Sequence, residues 1–226
     1  MTIPVHHPGE EILLDYAGGS LREPFALVIA THLAFCPCCR TKVAELEAIG
    51  GALLEAEEPA SLSKECLPAL LKRLGTGSAA CSSPRKPSPS VFAKLPTEVI
   101  RIPEPLRSYL GKPLEQLCWC SAVGGIEQVD IQVGGPPIRT RLLRMKPGGS
   151  MPRHYHPAIE LNLVLLGGFR DERGSYRRGD LVIDEPTLTH HPIADDGEGC
   201  LCLNLAEAPI RFTGLVARLT EALRGA

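Results

Sequence analysis

Residues 76–90 read TGSAACSSPRKPSPS, a run of Ser, Pro, Gly and Ala with no apolar periodicity. Such a stretch buries too little apolar surface to offset the entropy of fixing its backbone, so it is a linker and the chain falls into two parts. The two parts differ in period. From Glu10 to about Gly75, EEILLDYAGG, EPFALVIATHLAF, PCCRTKVAELEAIGGALLEA and SKECLPALLKRLG carry apolar residues three and four apart, which predicts four helices. Gly18-Gly19 stops the first, Pro24 suits the first turn of the second, Gly50-Gly51 weakens the third, and Ser61 or Ser63 caps the fourth. Beyond the linker, IRTRLLRM, IELNLVLL, DLVID and CLCLNLA are short runs broken by Gly and Pro, with RDERGS as a hairpin turn. The expected fold is multi-domain α + β: a four-helix domain over 1–75, a linker over 76–96, and an antiparallel β-barrel or jelly roll over 97–226. Its closing stretch, FTGLVARLTEALRG, returns to helical spacing.

Charge narrows the function classes. The formal net charge is −2, so no general cationic field is available to hold a nucleic acid backbone or an anionic membrane. Residues 1–75 carry ten acidic and six basic side chains, whereas 76–96 carries three basic and none acidic, so the helical part is the acidic one. MTIPVHHPGEEILLDY has no basic segment followed by an apolar run, and no stretch approaches 18 uninterrupted apolar residues. The expectation is a cytoplasmic protein with no membrane segment and no direct nucleic-acid contact. Nine cysteines is an odd number, and a disulfide framework explains them less well than metal ligation and burial.

The densest group of reactive side chains is HLAFCPCC, residues 32–39. His32 and Cys36 are four apart and Cys36 and Cys39 three apart, so beside a helix all three turn toward one point. If Pro37 opens the third helix, Cys36 is its N-cap and Cys39 lies in its first turn, where free N–H groups and the helix dipole favour thiolates. Cys38 is about 100° round from Cys39 and points elsewhere. A structural zinc takes four ligands, and His6 or His7, just before the first helix, closes the shell. A redox CxxC pair belongs with a βαβ pattern, which is absent here.

A second cluster lies in PGGSMPRHYHPAIELNLVLLGG. Its order, Gly148, His154, His156, Glu160, Gly167, is similar at every spaced position to the first metal motif of the cupins. His154, His156 and Glu160 share parity, so on extended backbone all three would face the inside of a barrel. The resemblance extends to GDLVIDEPTLTHHP, where Gly179 followed by ten residues leads to His190 as the fourth ligand, while counting from Pro186 selects His191. Three imidazoles and a carboxylate accept Zn, Fe, Mn, Ni or Cu, so the ligand type does not name the metal.

An HxxxCxxC helical module linked to a cupin motif resembles the ChrR family of zinc-binding anti-sigma factors. The shared stretches are HH near the start, YAGGSL, ATHLAFCPCC, GGALL, LLRMKPGGSMPRHYHPAIELNLVLLGGFRDERGSY, GD, HHP and CLCLNLAEAPIRFTG. The resemblance implies an N-terminal zinc-binding anti-sigma domain that sequesters a sigma factor of the extracytoplasmic-function type. It also implies a cupin-like domain with a second metal, needed to respond to oxidants such as singlet oxygen or organic hydroperoxides. Carried over by position, the zinc ligands fall on His7, His32, Cys36 and Cys39. The second set, for zinc or another divalent transition metal, falls on His154, His156, Glu160 and His190. Two departures are a longer linker and the extra thiol of Cys38. On this reading the chain is a regulator and not an enzyme; the competing reading is a metal-dependent cupin dioxygenase or isomerase with an appended zinc module.

Overall fold

A computed structural model describes residues 3–76 and 102–214. The linker from residue 77 and the expected closing helix beyond residue 214 lie outside the described residues. Four helices occupy the N-terminal part: α1 (Glu10–Ala17), α2 (Glu23–Phe35), α3 (Pro37–Ala56) and α4 (Cys66–Thr76). Cys36, with extended backbone, separates α2 from α3, and the two helices bend by 120° there. Pro37 cannot donate to the preceding turn, which ends α2 and starts α3. The third helix runs straight through Gly50-Gly51 to Ala56, because two exposed glycines cost only about 1 kcal/mol each and the flanking Ala, Leu and Glu are good helix formers.

The remainder is β-rich. Among the described residues a further helix, α5 (Glu104–Leu110), precedes β1 (Cys120–Ser121), β2 (Glu127–Ile131), β3 (Arg139–Met145), β4 (His154–Tyr155), β5 (Glu160–Arg170) and β6 (Ser175–Arg177). Then come β7 (Leu181–Asp184), β8 (Thr189–His190), β9 (Ile193–Ala194), β10 (Cys200–Ala206) and β11 (Arg211–Phe212). The larger sheet runs β1-β2-β3-β10-β5-β6, with β7 and β9 also paired to β5, and a smaller sheet runs β11-β4-β8. All these pairs are antiparallel. RDERGS forms the β5–β6 hairpin turn, closed by the Asp171 N–H on the Gly174 carbonyl.

One expectation changes here. His154, His156 and Glu160 do not share a single extended strand, since pairing stops at His156 and resumes at Glu160, in the other sheet. Pro157 has no N–H for a ladder, so the chain turns a corner between the two sheets.

Alternation on the central strands separates two layers of packing. Leu161, Leu163 and Leu165 of β5 and Leu201, Leu203 and Leu205 of β10 join one apolar cluster with Leu13, Ile29 and Val43 of the helices. The opposite faces send Val164, Cys200 and Cys202 into a second cluster inside the barrel. Both faces of β10 are therefore covered, and all seven of its residues are buried. Helix α2 packs on α1 and α3 on one side and on β5 and β10 on the other. Burial of Leu27, Val28, Ile29, Thr31 and His32 in near succession follows from that position between two layers.

Candidate metal centres

The first centre forms where the chain before α1 crosses the α2–α3 corner. Ligand atoms of His7, His32, Cys36 and Cys39 lie within 4.8 Å of one another. His7 Nδ1 is 3.4 Å from the Sγ atoms of both Cys36 and Cys39, and His32 Nε2 is 3.3 Å from Cys39 Sγ. Zinc bonds of about 2.3 Å to sulfur and about 2.05 Å to nitrogen at the tetrahedral angle put nitrogen and sulfur about 3.6 Å apart, so the four donors fit such an ion. Cys36 is the N-cap of α3, its sulfur accepting the Cys39 N–H at 3.4 Å. His32 is fully buried, and its Nδ1 donates to the Gly179 carbonyl at 2.8 Å, which leaves Nε2 as the lone-pair donor. His6 turns the other way, onto the Tyr176 ring at 4.7 Å and toward Asp180, and Cys38 is exposed.

The surroundings of His32 and Cys39 favour their neutral forms when no cation is present. Burial, partly opposed by the Gly179 carbonyl, lowers His32 to about 4, and burial together with the neighbouring Cys36 thiol pushes Cys39 up to about 12. A divalent cation reverses the second preference by stabilising thiolate directly.

The second centre sits inside the barrel. Strand pairing sets His154 opposite His190, and Nε2 of His190 is 3.0 Å from Nε2 of both His154 and His156. Each outer nitrogen has a neighbour: Pro152 O at 2.8 Å for His154, Asp171 Oδ2 at 3.1 Å for His190, and Glu160 Oε2 at 2.8 Å for His156. The last contact is misaligned for a hydrogen bond, and both of its buried atoms lack any other partner. Two orphaned atoms of this kind are the polarity a cation satisfies. His156 thus belongs to two overlapping sets, one with His154 and His190 and one with Glu160 and Asp184. His191 is not among them; its backbone N–H bonds Glu172.

Glu160 is braced from behind. Asn162 and Asn204 donate to its Oε1 at 3.0 and 2.8 Å, and Arg141 holds Asn204 at 2.8 Å. Burial alone would raise this carboxyl, but His156, Asn162 and Arg141 outweigh it and hold it below its ordinary value. Burial likewise lowers His154 to about 4. A small pocket opens on His154, Glu160 and His190, and Met145, Met151 and Cys202 contribute sulfur to its lining. Cys200 and Cys202 are both free and buried, with sulfurs 3.3 Å apart; that hydrogen bond and burial push the Cys200 thiol well up.

Sequence reasoning did not find Asp171, Tyr176, Asp180, Asn162 or Asn204. Their roles depend on partners far along the chain, such as Val5 and His6 for Asp180, and a polar residue in a turn carries no periodic signal.

Residues 113–208 match the family described as the ChrR cupin-like domain. Over 221 residues the chain is 38% identical to the anti-sigma-E factor ChrR of Cereibacter sphaeroides, covering 98% of each chain. A chain of the crystal structure of Rhodobacter sphaeroides SigE in complex with the anti-sigma ChrR superposes with a TM-score of 0.73 at 36% identity, covering 91% of this chain and 99% of that one.

Proposed function

Because this chain belongs to the ChrR family of anti-sigma factors, we propose that it sequesters a sigma factor of the extracytoplasmic-function type and releases it on an oxidative signal read by the barrel. The observation that carries this reading is the zinc-ligand cluster at the α2–α3 corner together with the apolar side chains left uncovered farther along the same module. Ile49, Leu53 and Leu54 of α3 and Leu67, Leu70, Leu71 and Leu74 of α4 are all more than half exposed. Uncovered apolar residues in this density suit a protein partner. The acidic balance of residues 1–75 suits a partner with basic, DNA-facing helices. The chain is a regulator rather than an enzyme, it acts in the cytoplasm, and it contacts the sigma factor rather than nucleic acid. Among the described residues no single helix is long and apolar enough to cross a membrane.

His7, His32, Cys36 and Cys39 hold a zinc ion, which ties the segment before α1 to the α2–α3 corner. His154, His156, Glu160 and His190 hold zinc or another divalent transition metal. That metal would supply a Lewis-acidic centre beside the sulfur-lined pocket, and Met145, Met151 and Cys202 are oxidisable groups within it. Residues 1–75 form the sigma-binding domain, the barrel after the linker is the sensor, and contacts between them carry the signal.

The test is a pull-down of the cognate sigma factor by the full chain, with metal quantified on the same sample, before and after exposure to singlet oxygen or an organic hydroperoxide. The expected result is a zinc-containing complex that dissociates on exposure. A folded, zinc-loaded chain that captures no sigma factor overturns the sequestration reading, and a complex indifferent to both oxidants overturns the sensing one.

A further inference from the structure

We infer that the barrel turn Arg178–Gly179–Asp180 completes the zinc site of the helical module and makes its hold on zinc depend on the barrel. Both histidine ligands of that site are positioned by this turn. His32 Nδ1 donates to the Gly179 carbonyl at 2.8 Å. His7 follows two residues whose backbone N–H groups, those of Val5 and His6, both donate to Asp180 Oδ1, at 2.6 and 3.0 Å. The His6 carbonyl in turn accepts the Leu181 N–H at 3.1 Å. The second Asp180 oxygen accepts the Arg177 N–H at 2.8 Å, so one buried carboxylate clamps the N-terminal segment to the turn.

The packing leaves little slack. Gly179 has φ +95°, and a Cβ there would lie 2.7 Å from Pro4 Cγ and 3.0 Å from Phe35 Cβ. Arg178 places its guanidinium 4.8 Å from the centre of the Phe35 ring, next to Cys36. Outer groups that orient metal-bound imidazoles change metal affinity by about 10- to 100-fold when removed. In this chain those groups come from the other half of the molecule.

The N-terminal segment that this turn clamps also connects to the second centre. The His6 ring rests edge-on against Tyr176, whose hydroxyl reaches Asp171 Oδ1 at 3.4 Å, and Asp171 Oδ2 lies 3.1 Å from Nδ1 of His190. Contacts thus run without a gap from a ligand of the barrel metal to the residue before a ligand of the zinc. Asp180 is a positioning residue for the zinc site, and Tyr176 is the piece that couples it to the barrel metal.

The inference rests on the reading that the Cys-containing cluster holds zinc, and the experiment separates the two. Full-length wild type, Asp180→Ala, Asp180→Asn and Tyr176→Phe would be loaded with Co²⁺ or Zn²⁺. Thiolate-to-cobalt charge transfer reports the Cys site alone, and transfer of zinc to a chromogenic chelator gives the release rate of each site. Asp180→Ala is expected to release metal from the Cys site about 10- to 100-fold faster with the barrel site unchanged, and Asp180→Asn to fall between it and wild type. In Tyr176→Phe the Cys-site rate is expected to stop responding to whether the barrel site is loaded. Wild-type release from the Cys site in both Asp180 variants overturns the inference, as does equal loosening of both sites, which is what a merely structural role produces. If wild type shows no thiolate–cobalt band, the zinc reading itself falls.

Discussion

His32 and Gly179 are 147 residues apart in sequence, and a 2.8 Å hydrogen bond joins the imidazole of one to the carbonyl of the other. The bond crosses from the helical module to the barrel, beside an apolar cluster that also spans both. The two halves are therefore in direct contact.

Zinc removal should loosen the helical module unevenly. Structural zinc in small peptides is worth about 10–16 kcal/mol, so chelation withdraws a large share of what holds α3 and the segment before α1 in place. Helix α2 keeps its burial against β5 and β10. Amide hydrogen exchange after chelation should show protection lost across α3 and retained in α2; simultaneous loss in both would contradict the two-layer packing.

Acid should destabilise the metal-free chain. Unfolded histidine titrates near 6.5, whereas burial lowers His32 and His154 to about 4 in the fold. Between those values the unfolded chain binds more protons, so stability is fully present above pH 6.5 and declines as pH falls toward 4. Glu160 and Asp180, both held below their ordinary values, act in the same direction at lower pH. Urea unfolding at pH 7.5, 6.5, 5.5 and 4.5 would read the slope, and a flat profile would refute it.

Asn204→Ala should weaken the barrel centre. The side chain is fully buried, donates to Glu160, and accepts from Arg141. Truncation leaves Arg141 with a lost partner and Glu160 with one brace, a cost of about 1–3 kcal/mol in stability. Metal affinity at this centre should drop by about tenfold or more, measured by calorimetric titration of the metal-free chain.

Leu54→Glu and Leu70→Glu should leave stability within about 0.5 kcal/mol, since these side chains are 76% and 52% exposed. Affinity for the sigma factor should fall about tenfold, the equivalent of about 1.4 kcal/mol. Binding curves by surface plasmon resonance, paired with thermal melts, would show affinity unchanged if neither residue meets the partner.

Much of this architecture is legible in the sequence because periodicity and spacing are local. His32, Cys36 and Cys39 follow from helical geometry and a proline at a helix start, and His154 and His156 from their spacing. The corner at Pro157 is less visible, because a shared parity suggests one strand where the chain makes two. The linker composition suggests two separate bodies, yet α2 is apolar on every side, a sign that both of its faces are covered. Asp180, Tyr176 and Asn204 have no local signature at all; they acquire roles only once folding brings distant backbone and side-chain groups to them.

His7 is exposed, while the other three members of its cluster are buried. With zinc held there as proposed, that asymmetry would give its exchange an order. A competing ligand would meet the His7 corner first, because Cys36, Cys39 and His32 are shielded by burial. The segment carrying His7 is tethered to Asp180 through its backbone, so the chain end would stay anchored whether or not the ring is engaged. Such a site would be open to exchange at one vertex while the module stays assembled, which would suit a regulator that must let go of its partner and be used again.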